Sequence, residues 1–130
     1  MLTADAIMTE NLITIHPDAP VSEAIDLLLT HGISGLPVVD DGGRLVGVIT
    51  EFAILAMVYD HDVQNQTVGK HMTTEVILVD ANDPISRIAD LCIVHRVRRV
   101  PVMRDGRLVG VIARRDVLKA LYQDQLALHV

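Results

Sequence analysis

The chain has 130 residues, half of them hydrophobic, yet only one Phe, two Tyr and no Trp, so its core must be built from Val, Ile, Leu, Ala and Met, a mix that suits layered α/β packing. A formal charge of −6 argues against general nucleic-acid binding, which rests on Lys and Arg neutralising phosphates. Cys92 is the single cysteine, which rules out an intrachain disulfide and suits a reducing cytoplasm. With no apolar run near the roughly 20 residues that span a bilayer, and no basic and apolar leader at the N-terminus, the sequence reads as a soluble cytoplasmic protein.

In chain order the sequence is written twice. An offset of 64 residues pairs Met8-Thr9 with Met72-Thr73, Ile13 with Ile77, Pro20 with Pro84, Ser22 with Ser86, His31 with His95, and Pro37-Val38 with Pro101-Val102. After Gly43 the offset becomes 63, and RLVGVI at 44–49 meets RLVGVI at 107–112. Each copy opens on a β-prone run, LITI at 12–15 or VILV at 76–79. A helix follows, with Pro20 or Pro84 suited to its first turn; Asp83 is placed to cap the second of these helices where the first has only Ala19, so the second is expected to start more firmly.

Residues 36–39 and 44–49 then read as strands around Asp40-Asp41-Gly42-Gly43, and their counterparts flank Asp105-Gly106, a tight-hairpin signal. The closing helix of the first copy, EFAILAMVYD, carries Phe52, Ile54, Leu55, Met57 and Val58 within two turns. A helix apolar on nearly every side is buried on more than one face, and one of those faces is expected to meet a second copy in a homodimer. Each copy is thus β-α-β-β-α. The expected organisation is an α/β (α+β) fold of two tandem repeats, 1–59 and 68–130, joined by the polar linker DHDVQNQT at 60–67 and packed with pseudo-two-fold symmetry.

The ordered set of Met-Thr, apolar strand, helix, xPVx, hairpin and LVGVIxxxD, present twice, closely resembles the CBS (cystathionine β-synthase) domain pair, or Bateman module. The resemblance covers nearly the whole chain. It implies a non-enzymatic regulatory module that binds an adenosine-containing ligand, AMP, ADP, ATP or S-adenosylmethionine, in a cleft between the repeats. It also implies dimerisation through helices and, in most members, regulation of an attached enzyme or channel or of some other target protein.

In the family pattern a Thr or Ser ending the last strand bonds phosphate, and an Asp three residues on accepts from the ribose hydroxyls. Carried onto this sequence, the second repeat keeps Asp116 but has Ala113 in place of the hydroxyl residue, whereas the first keeps Thr50 but has Ala53 in place of the carboxylate. Losing the ribose acceptor should matter more, since other donors reach a phosphate but few groups hold a vicinal diol. The principal site is therefore expected at the second repeat, with Arg98, Arg99, Arg114 and Arg115 as phosphate contacts where the first repeat has Ser34, Gly35, Glu51 and Phe52. The resemblance places the adenine against Thr74, Val76 and Ile77 and the strand entry at Val97 and Pro101. Thr50, Ile13 and Pro37 outline a weaker second site. The alternative is a protein-interaction adaptor whose nucleotide sites have decayed, for which Ala53 and Ala113 speak.

The six histidines form no compact metal-ligand spacing, and His31 and His95 read as polar helix ends. Cys92 aligns with Leu28 and reads as a core thiol rather than a nucleophile. No metal site and no catalytic residue is expected.

Overall fold

The structure is a computed structural model that describes residues 2–57, 59–60 and 62–128, with side chains described as far as residue 123. The elements are α1 (Ala4–Ile7), α2 (Val21–His31), β1 (Gly35–Val39), β2 (Leu45–Thr50), α3 (Glu51–Leu55), a 3-10 turn (Val63–Asn65), α4 (Val68–His71), β3 (Val79–Asp80), α5 (Ile85–His95), β4 (Arg99–Arg104), β5 (Arg107–Ala113) and α6 (Arg114–Leu128). They form two compact units, Ile13–Val76 and Met1–Leu12 with Ile77–Val130. These are called the first-repeat and second-repeat units.

In the first-repeat unit β1 and β2 pair antiparallel, with Gly35 opposite Thr50 and Pro37 opposite Val48. Ile15 extends the outer edge of β1 by a single parallel bridge to Val38. The run LITI therefore yields one bridge rather than a strand, because the chain turns at once: Ala19 N donates to His16 O at 3.1 Å. At the other edge Thr73 and Val48 exchange both backbone bonds, at 2.8 and 2.9 Å. Val21, Ala24 and Leu28, spaced on one stripe of α2, pack with Leu36, Val38 and Ile49 of the sheet, Ile54 of α3 and Val68. The polar segment is tied down at residues 63–67 as well. Val63 is buried, Gln66 O accepts from Val21 N at 2.8 Å, and Thr67 bridges Pro20.

The second-repeat unit repeats this plan. β3 runs parallel to β4, β4 pairs antiparallel with β5, and Thr9 exchanges two bonds with Val111 on the far edge. Here VILV contributes only Val79 to a strand. Ile85, Ile88 and Cys92 form the buried stripe of α5 against Val79, Val100, Val102, Ile112, Val117 and Ala120. Asp105 and Gly106 both take positive φ, 53° and 79°, as the two-residue hairpin expected there requires.

The Met-Thr segments complete the units crosswise with respect to the sequence repeats. Residues 3–9 join the second-repeat unit through Thr3–Pro84 and Thr9–Val111, while residues 67–73 join the first-repeat unit through Thr67–Pro20 and Thr73–Val48. Two glycines make room for them. A Cβ on Gly47 would lie 2.8 Å from Thr73 O and 2.7 Å from Met72 Sδ, and one on Gly110 would strike the Met8 side chain.

Two local expectations change. Pro20 and Pro84 are the N-cap residues themselves, extended at ψ 150° and 151°, rather than first-turn residues, and neither helix has a side-chain cap. Asp83 lies one step outside. Its carboxylate accepts from Asp80 N at 2.9 Å and pairs with Arg87 Nε at 3.4 Å, so it closes the preceding turn instead of capping α5. The closing helix of the first repeat is also shorter than its apolar pattern suggests, since α3 ends at Leu55. Within it Ile54 is buried while Phe52 and Leu55 are exposed, and Val58 lies outside the described residues.

Candidate functional site

The expected site of the second repeat forms where β5 runs into α6. Arg99 of β4 lies opposite Ala113, the last residue of β5, and Arg114 N donates to Arg98 O at 2.8 Å. One backbone junction thus gathers Arg98, Arg99, Ala113, Arg114, Arg115 and Asp116. The four arginines are exposed, Asp116 is half-buried in the first turn of α6, and none of the five forms an ion pair among the described residues. Free guanidinium groups beside a helix start, whose N–H groups and dipole favour anions, suit a phosphate. A carboxylate one turn in supplies two acceptor oxygens for adjacent hydroxyls.

The first-repeat unit has the same junction with different side chains. Glu51 N donates to Ser34 O at 2.9 Å, and Gly35 lies opposite Thr50. Thr50 is the N-cap of α3, and its hydroxyl oxygen accepts from Ala53 N at 3.2 Å. Ala113 has no side-chain oxygen to offer the equivalent N–H of Asp116. Pro37, opposite Val48, and Ile13 are half-buried here, and Ile13 packs against the core.

The remaining expected residues fall as follows. Thr74 is exposed and Val76 half-buried, both in the first-repeat unit, and half-buried Ile77 begins the main segment of the second-repeat unit. Val97 packs against the second-repeat core just ahead of Arg98, and Pro101 is buried within β4. Cys92 lies in the same core, where burial pushes its thiol pKa up while the Arg114 charge offsets part of the effect. His31 and His95 end α2 and α5. Among the described residues no three His, Cys, Asp or Glu side chains gather as a metal site.

The Met8-Thr9 segment, absent from the residues expected at this site, borders it: Thr9 bridges β5 at Val111, two residues before Ala113. The signal was present in the sequence: a Met-Thr pair and a strand glycine, Gly110 or Gly47, recur once per repeat.

The CBS domain family matches the chain twice, over residues 4–60 and 68–123. The chain belongs to the CBS-domain family. Among solved CBS structures, CBSX2 of Arabidopsis thaliana in complex with AMP is 30% identical with a TM-score of 0.86, covering 96% of this chain and 99% of that one. The CBS domain pair of MJ0100, in complex with 5′-methylthioadenosine and S-adenosyl-L-methionine, is 28% identical with a TM-score of 0.80, covering 95% and 98%.

Among curated relatives, protein MJ1225 of Methanocaldococcus jannaschii is 34% identical over 118 residues, 91% of this chain and 42% of the relative. The chain spans 13% to 42% of the length of the first four curated relatives, which include an inosine-5′-monophosphate dehydrogenase. No helix among the described residues is long and apolar enough to cross a membrane.

Proposed function

We propose that this CBS pair is a non-catalytic sensor that binds an adenosine-containing ligand, AMP, ADP, ATP or S-adenosylmethionine, chiefly through its second repeat. The observation that carries the reading is the convergence of Arg98, Arg99, Arg114 and Arg115 with Asp116 at the β5–α6 junction, fixed by the Arg114 N–Arg98 O bond of 2.8 Å. In this reading the arginines and the helix start hold phosphate, and Asp116 holds the ribose. A ligand such as S-adenosylmethionine, which lacks phosphate, would use Asp116 but leave the arginines without an anion. The AMP and S-adenosyl-L-methionine complexes of the related pairs support the ligand class.

The sensor works as a homodimer in the cytoplasm, where a lone thiol stays reduced, and passes its signal to a target protein through ligand-dependent packing of its helices. The test is a thermal-shift screen with AMP, ADP, ATP and S-adenosylmethionine. At 100 times the dissociation constant, binding stabilises the fold by about 2.7 kcal/mol. Asp116→Ala should remove the shift and Thr50→Ala should leave it nearly unchanged. The opposite pattern would move the site to the first repeat. No shift with any of these compounds would favour an adaptor with decayed sites, a reading supported by Ala53 and Ala113, which leave each half-site one polar group short.

A further inference from the structure

A fifth arginine stands beside the four at the β5–α6 junction. Arg96, exposed and two residues before Arg98, ends α5 in the left-handed conformation at φ 52°. Its repeat counterpart Gly32 ends α2 in the same way at φ 62°. Glycine enters that region freely whereas a residue with a Cβ is strained there, so arginine occupies position 96 against the preference of the backbone. Arg114 approaches from the other side. Its charge acts on the Cys92 thiol, one turn ahead of Arg96 in α5, and its backbone N–H holds Arg98 O.

The first-repeat unit has Gly32, Ser34, Gly35, Glu51 and Phe52 at the five positions, without a single cation. In the second, residues 96–99 and 113–116 set five arginines against Asp116 alone, a net +4. Elsewhere in that unit Arg87 pairs with Asp83 at 3.4 Å and Arg104 with Asp5 at 2.9 Å. Among the described residues none of the five junction arginines has a carboxylate partner. Like charges gathered in this way repel one another and weaken the fold until an anion offsets them. One phosphate monoester brings about −2, short of the +4 present; a di- or triphosphate comes closer. Magnesium works against such a fit. The ion is held by carboxylate oxygens together with phosphates, and the junction's one carboxylate is the proposed ribose acceptor. A bound magnesium ion would also occupy the phosphate oxygens that the guanidinium groups need.

We infer that the second-repeat site selects a nucleoside di- or triphosphate over AMP and S-adenosylmethionine, takes it without its magnesium ion, and uses Arg96 as a further phosphate contact. The inference rests on the proposed adenosine site at Asp116 and adds its ligand class and its response to magnesium.

Titration calorimetry of the full chain with AMP, ADP, ATP, S-adenosylmethionine and inorganic tripolyphosphate, with and without excess magnesium, tests it. ATP should bind at least about tenfold more tightly than AMP, the gain from one further charge-assisted bond, and magnesium should weaken ATP but not AMP. Arg96→Gly installs the residue that the first repeat carries at this backbone conformation, so the variant folds; it should weaken ATP by a larger factor than AMP. Equal weakening of the two, or none, overturns the role of Arg96. AMP or S-adenosylmethionine binding as tightly as ATP, or ATP binding unaffected by magnesium, overturns the ligand class while leaving the Asp116 site standing. Tripolyphosphate binding as tightly as ATP overturns the joint use of the arginines and Asp116 by one nucleotide. No binding by any of the adenosine compounds overturns the site and the inference together.

Discussion

Thr50 and Ala113 occupy the same step of the repeat, and only Thr50 has an oxygen with which to cap the helix that follows. Its acceptance from Ala53 N at 3.2 Å makes Thr50→Ala a cap deletion, expected to cost about 1 kcal/mol. Ala113→Thr should recover up to about that amount by giving the Asp116 N–H an acceptor. Urea denaturation of both variants checks the pair. An unchanged midpoint for Thr50→Ala would mean that the cap contributes nothing. A second residue-scale effect concerns acid. The Thr3 hydroxyl donates to the Asp5 carboxylate, Arg104 Nη2 pairs with it at 2.9 Å, and together they hold its pKa below the usual carboxylate range. A carboxyl lowered in the folded state contributes stability that is present above its unfolded pKa and fades as pH falls through the folded one. Asp5→Asn should therefore flatten the loss of melting temperature on acidification from about pH 6 to about pH 3. Parallel declines for variant and parent would show that Asp5 does not set the acid limb.

The same close fit governs the elements, where a glycine on each β5-type strand lets a Met-Thr segment lie against the sheet. Gly47→Ala drives a methyl toward the Thr73 carbonyl, a backbone atom, whereas at Gly110 the nearest atoms belong to the flexible Met8 side chain. Overpacking of this kind costs about 1–3 kcal/mol, and Gly47→Ala should be the more damaging of the two in thermal denaturation. Equal losses would mean that the Thr73 segment moves aside freely. The glycines also show what the sequence made legible. Hairpins, paired helices and the resemblance to the CBS pair were readable because they depend on neighbours in the chain: Asp105-Gly106 specifies its own turn, and the α2 and α5 stripes follow from spacing. The Met-Thr pairings were not readable, since an edge contact such as Thr9 with Val111 joins residues about a hundred positions apart and leaves only an unexplained glycine as its trace. The strands at 12–15 and 76–79 were overstated for a related reason. Side-chain propensity registered their apolar residues, but not whether a partner strand lay alongside them. The arginine cluster was legible as a set because the repeat supplied its own control, with Ser34 and Gly35 standing where Arg98 and Arg99 do.

At the scale of the molecule, the crosswise Met-Thr segments make each unit depend on residues from the start of the other sequence repeat. The second-repeat unit relies on the N-terminus for several backbone bonds: Ala4 N to Asp83 O, Asp5 N to Ala81 O, the two-way exchange between Thr9 and Val111, and Ile85 N to Leu2 O. It also gains the fully buried Ala4. At roughly 0.5–1.5 kcal/mol net per bond these amount to on the order of 5 kcal/mol, comparable to the entire stability of a small domain. The first-repeat unit draws its equivalent support from residues 67–73, which lie within its own continuous segment Ile13–Val76. Deleting residues 1–9 should therefore act selectively. Amide hydrogen exchange should show protection collapsing in β4, β5 and α5 while β1, β2 and α2 retain most of theirs, because local stability follows the bonds each unit keeps. The proposed nucleotide response should vanish with it, since Asp116 and the arginines sit at the end of the strand that Thr9 borders. Protection lost equally in both units would show that the pair unfolds as one cooperative body and that the N-terminal segment supports the whole rather than one half.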